Sequence, residues 1–172
     1  MKRNLAYFAS IMMLAIGFAF TGCNTDACKD VECGDFGTCL EGDCVCDAGY
    51  EGTDCATLSK DKFLGTSGAA ATYAVSDNCT GSGAATYTVV MSPSSTDDTK
   101  VLLADFWEFF TNPVEATIDG EKITIANQDP DSDGYTVEGS GTYASNVITF
   151  SYSITEVSSG DVDTCTSTWT KQ

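Results

Sequence analysis

The chain has 172 residues with 25 acids against 8 bases, a formal charge of −17, and no histidine. That balance excludes nucleic-acid binding and polybasic attachment to anionic lipid, and the missing imidazole removes the commonest general base and metal ligand. Nine cysteines are too many for a reducing compartment without a metal or redox reason, but they suit an exported chain that oxidises them.

The N-terminus has the three-part order of a secretory signal. Met1-Lys2-Arg3 is a short positive region, Leu5 to Phe20 is apolar apart from Ser10 and Gly17, and Phe20-Thr21-Gly22-Cys23 follows. About 16 apolar residues fall short of the roughly 20 that span a bilayer, which argues against an uncleaved anchor. The Thr-Gly-Cys ending resembles a bacterial lipobox, with Phe20 in place of the usual Leu. The resemblance implies a signal peptide over residues 1–22, removed before Cys23. A lipid such as palmitate on Cys23 would then anchor the N-terminal stretch 23–27 in the outer membrane, facing the periplasm or the cell surface. Cleavage also removes Lys2 and Arg3, leaving the mature chain more acidic still.

Six cysteines crowd into residues 28–55 as C-x4-C-x5-C-x4-C-x-C-x8-C. So short a stretch cannot bury a useful core, so crosslinks must hold it. Sequence alone allows 15 pairings of six cysteines. The run Cys44-Val45-Cys46-Asp47-Ala48-Gly49-Tyr50-Glu51-Gly52-Thr53-Asp54-Cys55 resembles the closing half of an EGF-like domain, and Gly37-Thr38 before Cys39 matches its usual turn. That resemblance implies one pairing: Cys28–Cys39, Cys33–Cys44 and Cys46–Cys55. A zinc knuckle is the competing reading, disfavoured by the lack of histidine and by an oxidising compartment. Taken as a single copy, the module reads as a spacer.

Residues 56–61 read as a polar linker. From 62 to 172 the texture becomes Thr, Val, Ser, Ile and aromatics with period-two alternation, as half-buried strands require. Ala71, Tyr73 and Val75 alternate with Thr72 and Ala74; Ile148, Phe150, Tyr152 and Ile154 with Thr149, Ser151 and Ser153; Cys165, Ser167 and Trp169 with Thr166, Thr168 and Thr170. Asp119-Gly120 suits a tight hairpin turn. With Lys62–Thr66 and Thr99–Asp105 included, about eight or nine strands follow at short spacing, with a single helical turn near Asp105–Phe110. Eight such strands close into an antiparallel up-and-down β-barrel, which leaves no exposed edge; a β-sandwich is the competing fold. In a closed meander the first and last strands are neighbours, so Cys79 and Cys165 are expected to pair. The bridge would close a loop of about 86 residues, worth about 4 kcal/mol by chain entropy. Lys62-Phe63-Leu64-Gly65-Thr66 and the terminal Cys165, Trp169, Thr170 and Lys171 resemble the opening and closing strands of lipocalin-like (calycin) barrels.

Two segments are candidates for binding. Asp129, Asp131 and Asp133 before Gly134 fit the first half of a calcium loop, where alternate carboxylates converge on one cation. The twelfth position is Ser140 rather than Glu, so an acidic hairpin loop is the alternative. Phe106, Trp107 and Phe109, in the densest aromatic run, would line or lid a barrel mouth for a small apolar ligand, or else plug it. The expected function is non-enzymatic: an outer-membrane lipoprotein whose EGF-like spacer carries a barrel for a ligand or protein partner. The alternative is a structural or adhesion module with a filled barrel.

Overall fold

The computed structural model describes residues 26–172. The leader over 1–22 and Cys23 lie outside the described residues.

In the EGF-like module, β1 (Gly37–Leu40) and β2 (Asp43–Cys46) form a hairpin in which Cys39 faces Cys44. β3 (Tyr50–Glu51) pairs with β4 (Thr57–Leu58). Disulfides join Cys28 to Cys39, Cys33 to Cys44 and Cys46 to Cys55. They replace a core: the module's buried hydrophobic side chains are Cys33 and Cys55. The Phe36 ring stacks on Tyr50 at 3.9 Å and is itself partly exposed.

The stretch read as a linker is folded. Thr57–Leu58 is strand, Ser59–Lys62 is a 3₁₀ turn, and Ser59 and Lys60 are buried. The Ser59 amide donates to the Gly49 carbonyl at 2.8 Å, and the Gly120 amide donates to Ser59 Oγ at 3.1 Å. Gly49 N–H donates to Asp119 Oδ1 at 3.1 Å. Gly49 has φ +87°, and a Cβ there would stand 2.5 Å from the Thr99 methyl carbon, so only glycine lets the module close on the barrel.

The barrel consists of β5 (Ala71–Cys79), β6 (Gly83–Pro93), β7 (Lys100–Ala104), β8 (Val114–Asp119), β9 (Lys122–Gln128), β10 (Tyr135–Ala144), β11 (Val147–Glu156) and β12 (Asp161–Lys171). Every strand pairs antiparallel with its sequence neighbours, and β12 pairs with β5 to close the ring. Cys79 sits opposite Cys165 at that seam and is bonded to it. The fold is therefore mainly β, a closed eight-stranded up-and-down barrel rather than a sandwich.

The inward phase of the strands supplies Tyr73, Val75, Val89, Met91, Leu103, Ile118, Ile123, Phe150 and Trp169, all buried. In β10, Gly139 and Gly141 face Tyr152 and Phe150. A Cβ at either glycine would stand 2.4 Å or less from those side chains, so the two missing side chains are what admit the two rings.

One expected strand is absent. Lys62–Thr66 does not enter the sheet. Phe63 and Leu64 follow the 3₁₀ turn, with their amides bonded to the Lys60 carbonyl, and their buried side chains stop one end of the barrel. Tyr73 OH donates to the Phe63 carbonyl at 2.7 Å, and the Lys171 ammonium donates to the carbonyls of Lys62 and Leu64. The apolar pair reads as strand in sequence; its role as a stopper is set by what it meets in three dimensions. The hairpin turn also shifts by one residue: Asp119 pairs with Lys122, leaving Gly120 and Glu121 in the loop.

Candidate functional site

Strand alternation sends the loops to opposite ends. The proximal end holds the stopper, the loop 94–99 and the turns 120–121 and 145–146, and it meets the EGF-like module. The distal end gathers the turns 80–82 and 157–160 and the loops 105–113 and 129–134. The two segments singled out in sequence both lie in this distal group.

Phe106 is fully buried and points into the lumen, with its ring 5.0 Å from Tyr152 and 5.7 Å from Trp169. It plugs the barrel. Trp107 is half-buried, and Phe109 is 42 % exposed, with its ring edge-on to Tyr135 at 5.0 Å. The three aromatics therefore do not line one cavity. Phe106–Glu108 forms a 3₁₀ turn in which Asp105, Trp107 and Glu108 all have left-handed φ, at 60°, 58° and 50°. Non-glycine residues held there cost of order 1–3 kcal/mol each, so the covering segment is strained.

Beneath it sits a group that sequence reasoning passed over. Asp77 lies on the inward phase of β5 and is 3 % exposed. Its Oδ2 accepts hydrogen bonds from Tyr87 OH at 2.7 Å and Tyr152 OH at 2.5 Å. No protein donor reaches Oδ1. Ser167 is its partner across the β5–β12 seam; it is also buried, and its Oγ accepts from Trp169 Nε1 at 2.6 Å. Burial pushes the Tyr87 and Tyr152 phenols far above their ordinary range, so both stay protonated and donate. For Tyr152, the neighbouring Tyr87 and Asp77 push the same way. The Phe106 ring, 5.0 Å from that of Tyr152, places the strained turn against this cluster. The signal was legible in the run Ala71, Tyr73, Val75, Asp77, Cys79: one acid in the phase that is otherwise inward and mostly apolar.

The three aspartates of the calcium-like loop diverge. Asp129 accepts from the Asp133 and Gly134 amides, and Asp133 accepts from the Tyr135 amide. Asp131 reaches out of its loop to the Thr111 and Asn112 amides at 2.8 and 2.7 Å, and those bonds hold its carboxyl below the usual range. The loop is a clip between the β9–β10 connection and the covering segment, not a convergent cation site. Among the described residues, the group of metal-ligating types that does come together is Cys79, Asp163 and Cys165, and its two sulfurs are already bonded to each other. Asp163 instead caps the 80–82 turn, accepting from the Gly81 and Ser82 amides and Thr80 Oγ1. Burial raises its pKa, and these bonds outweigh it, for a net lowering.

Acids occur at both ends of the barrel, with Asp61, Asp97, Asp98, Asp119 and Glu121 at the proximal one, but the lysines are confined to one end. Lys60, Lys62, Lys100, Lys122 and Lys171 all lie at the proximal end, and the remaining described cation, Lys29, is in the EGF-like module. The distal loops carry Asp105, Glu108, Asp129, Asp131, Asp133 and no base.

The N-terminal module is of the EGF class: residues 27–57 match the family model described as the Teneurin-like EGF domain. The chain is thus an EGF-like module followed by a closed eight-stranded barrel. No curated protein matches it. Among solved structures, a structural-genomics protein of unknown function from Bacteroides ovatus is similar at 13% identity, over 59% of this chain and 40% of that one, with a TM-score of 0.37. The chain spans less than half of that protein's length, and so distant a likeness carries no argument.

Proposed function

We propose that this is an exported, non-enzymatic surface lipoprotein, anchored through lipid on Cys23, that displays the distal end of its barrel away from the membrane. The docking of the EGF-like module on the proximal end carries the reading. Gly49–Asp119 and Ser59–Gly120 tie the module to the barrel, so it is a rigid base and not a swivelling stalk. A lumen filled by Phe106, Phe150, Tyr152 and Trp169 favours display over permanent storage of an apolar ligand. The sequence holds no histidine, and among the described residues no carboxylate pair or activated nucleophile stands in a cleft.

The test is metabolic labelling with radioactive palmitate in cells producing the full chain or Cys23→Ala. Loss of label in the variant, with its release from the membrane fraction, is expected. Equal labelling of the two proteins would overturn the anchor and with it the orientation.

A further inference from the structure

The distal end is more than a stopper. The geometry points to a closed binding site beneath the Phe106 turn for a small molecule that joins an ammonium group to a flat aromatic ring. Such a ligand would place its ammonium on Asp77 and its ring where Phe106 now lies.

Four observations converge. Asp77 is buried with Oδ1 free of any protein donor, so one strong acceptor faces the interior with capacity to spare. Around it stand the Tyr87, Tyr152 and Ser167 hydroxyls, so the cluster carries at most a single negative charge among neutral oxygens. That suits a monocation with several N–H donors better than a divalent metal, which needs more anionic ligands. Beside the oxygens lie the rings of Tyr152, which meets Phe106 edge-on, and Trp169, which meets it tilted; an aromatic body replacing the Phe106 benzyl group would meet the same contacts. Finally, the segment carrying Phe106 holds three left-handed non-glycine residues, so withdrawing the plug releases strain that partly offsets the contacts it gives up. No described base competes for the charge, and the acidic distal loops draw cations towards this end.

This inference does not depend on the membrane anchor and is tested separately, on purified, detergent-solubilised full chain. Phenethylamine carries the required ring and ammonium; 2-phenylethanol has nearly the same shape without the charge. Calorimetric titration should show the amine binding at least about tenfold more tightly than the alcohol. Phe106→Ala, which vacates the place of the ring, should tighten the amine by about a further tenfold. Asp77→Asn should erase the preference for the amine while the thermal melt stays cooperative. Added salt should weaken the amine and leave the alcohol unchanged. Equal affinity of the two probes for Phe106→Ala would overturn the proposal with no change made at Asp77, so the test survives even if Asp77→Asn does not fold. Failure of folded Phe106→Ala to bind the amine would overturn it as well, leaving Oδ1 to an internal water.

Discussion

The two ends of the barrel are closed by the same means, a 3₁₀ turn that feeds a phenylalanine into the lumen, yet the closures differ in kind. At the proximal end, Phe63 is held by its own backbone: Tyr73 OH binds its carbonyl, and Lys171 binds the carbonyls on either side. At the distal end, Phe106 is buried as completely, but its turn is strained and the hydroxyls beneath are committed to Asp77. Equal burial therefore does not mean equal permanence. One end is sealed by satisfied hydrogen bonds, the other by packing against a strained backbone and an unmet acceptor.

The largest effect should come from the seam. Replacing Cys79 and Cys165 together by Ser should cost about 4 kcal/mol by chain entropy, read from denaturant midpoints. Hydrogen exchange should then quicken first in the distal turns 80–82 and 157–160; a uniform increase at both ends would break the comparison. Phe63→Ala should cost about 3–4 kcal/mol, since the surrounding bonds prevent the site from collapsing. Phe106→Ala should cost only about 2 kcal/mol, because its segment can relax out of the left-handed region. Equal losses would show that the distal strain is not stored. Glu108→Gly, at φ 50° and on the surface, should raise stability by about 0.5 kcal/mol, the relief exceeding the entropy of the added glycine.

The smallest effect concerns acid. Asp131 and Asp163 have carboxyls held below their ordinary pKa of 3.8 by backbone amides, net of the opposing effect of burial at Asp163. A carboxylate depressed in the folded state stabilises it above the unfolded pKa, and the contribution disappears as pH falls through the folded value. Melting temperature should therefore decline as pH drops below about 4, and Asp163→Asn should flatten part of that decline. An unchanged slope would mean that the distal clips add nothing to stability.

Much of the barrel was legible because its strands obey one rule. Ile148, Phe150, Tyr152 and Ile154 alternate with small hydroxyl residues, and the structure buries the first set and turns the second outward. Closure was legible for the same reason, since Cys79 and Cys165 fall at matching inward positions of the first and last strands. What escaped was set by tertiary meeting points. Phe63-Leu64 is too short to reveal whether it pairs in a sheet or stops a barrel. The polar stretch 56–61 looks like a linker until Gly49, Asp119 and Gly120 are seen to gather around Ser59. The aspartate triplet matched a cation loop by spacing, but the free amides of Thr111 and Asn112 claimed Asp131. Of the distal cluster, the aromatic run drew notice, while Asp77, the residue that gives it chemistry, was hidden in a strand that otherwise reads as core.

The seam disulfide also decides how the barrel answers to being pulled. Residues 71 and 171 emerge side by side at the proximal end, on antiparallel neighbours that pair from Tyr73–Lys171 down to Cys79–Cys165. A load applied across that pair of ends peels the two strands apart like a zipper, one rung at a time. The Cys79–Cys165 bond is the stop at the bottom of the zipper. Tension passes through the covalent link and bypasses everything between, so β6 to β11 and the distal loops carry none of it. Such a load frays the seam at the proximal end, while the distal end of the barrel keeps its shape.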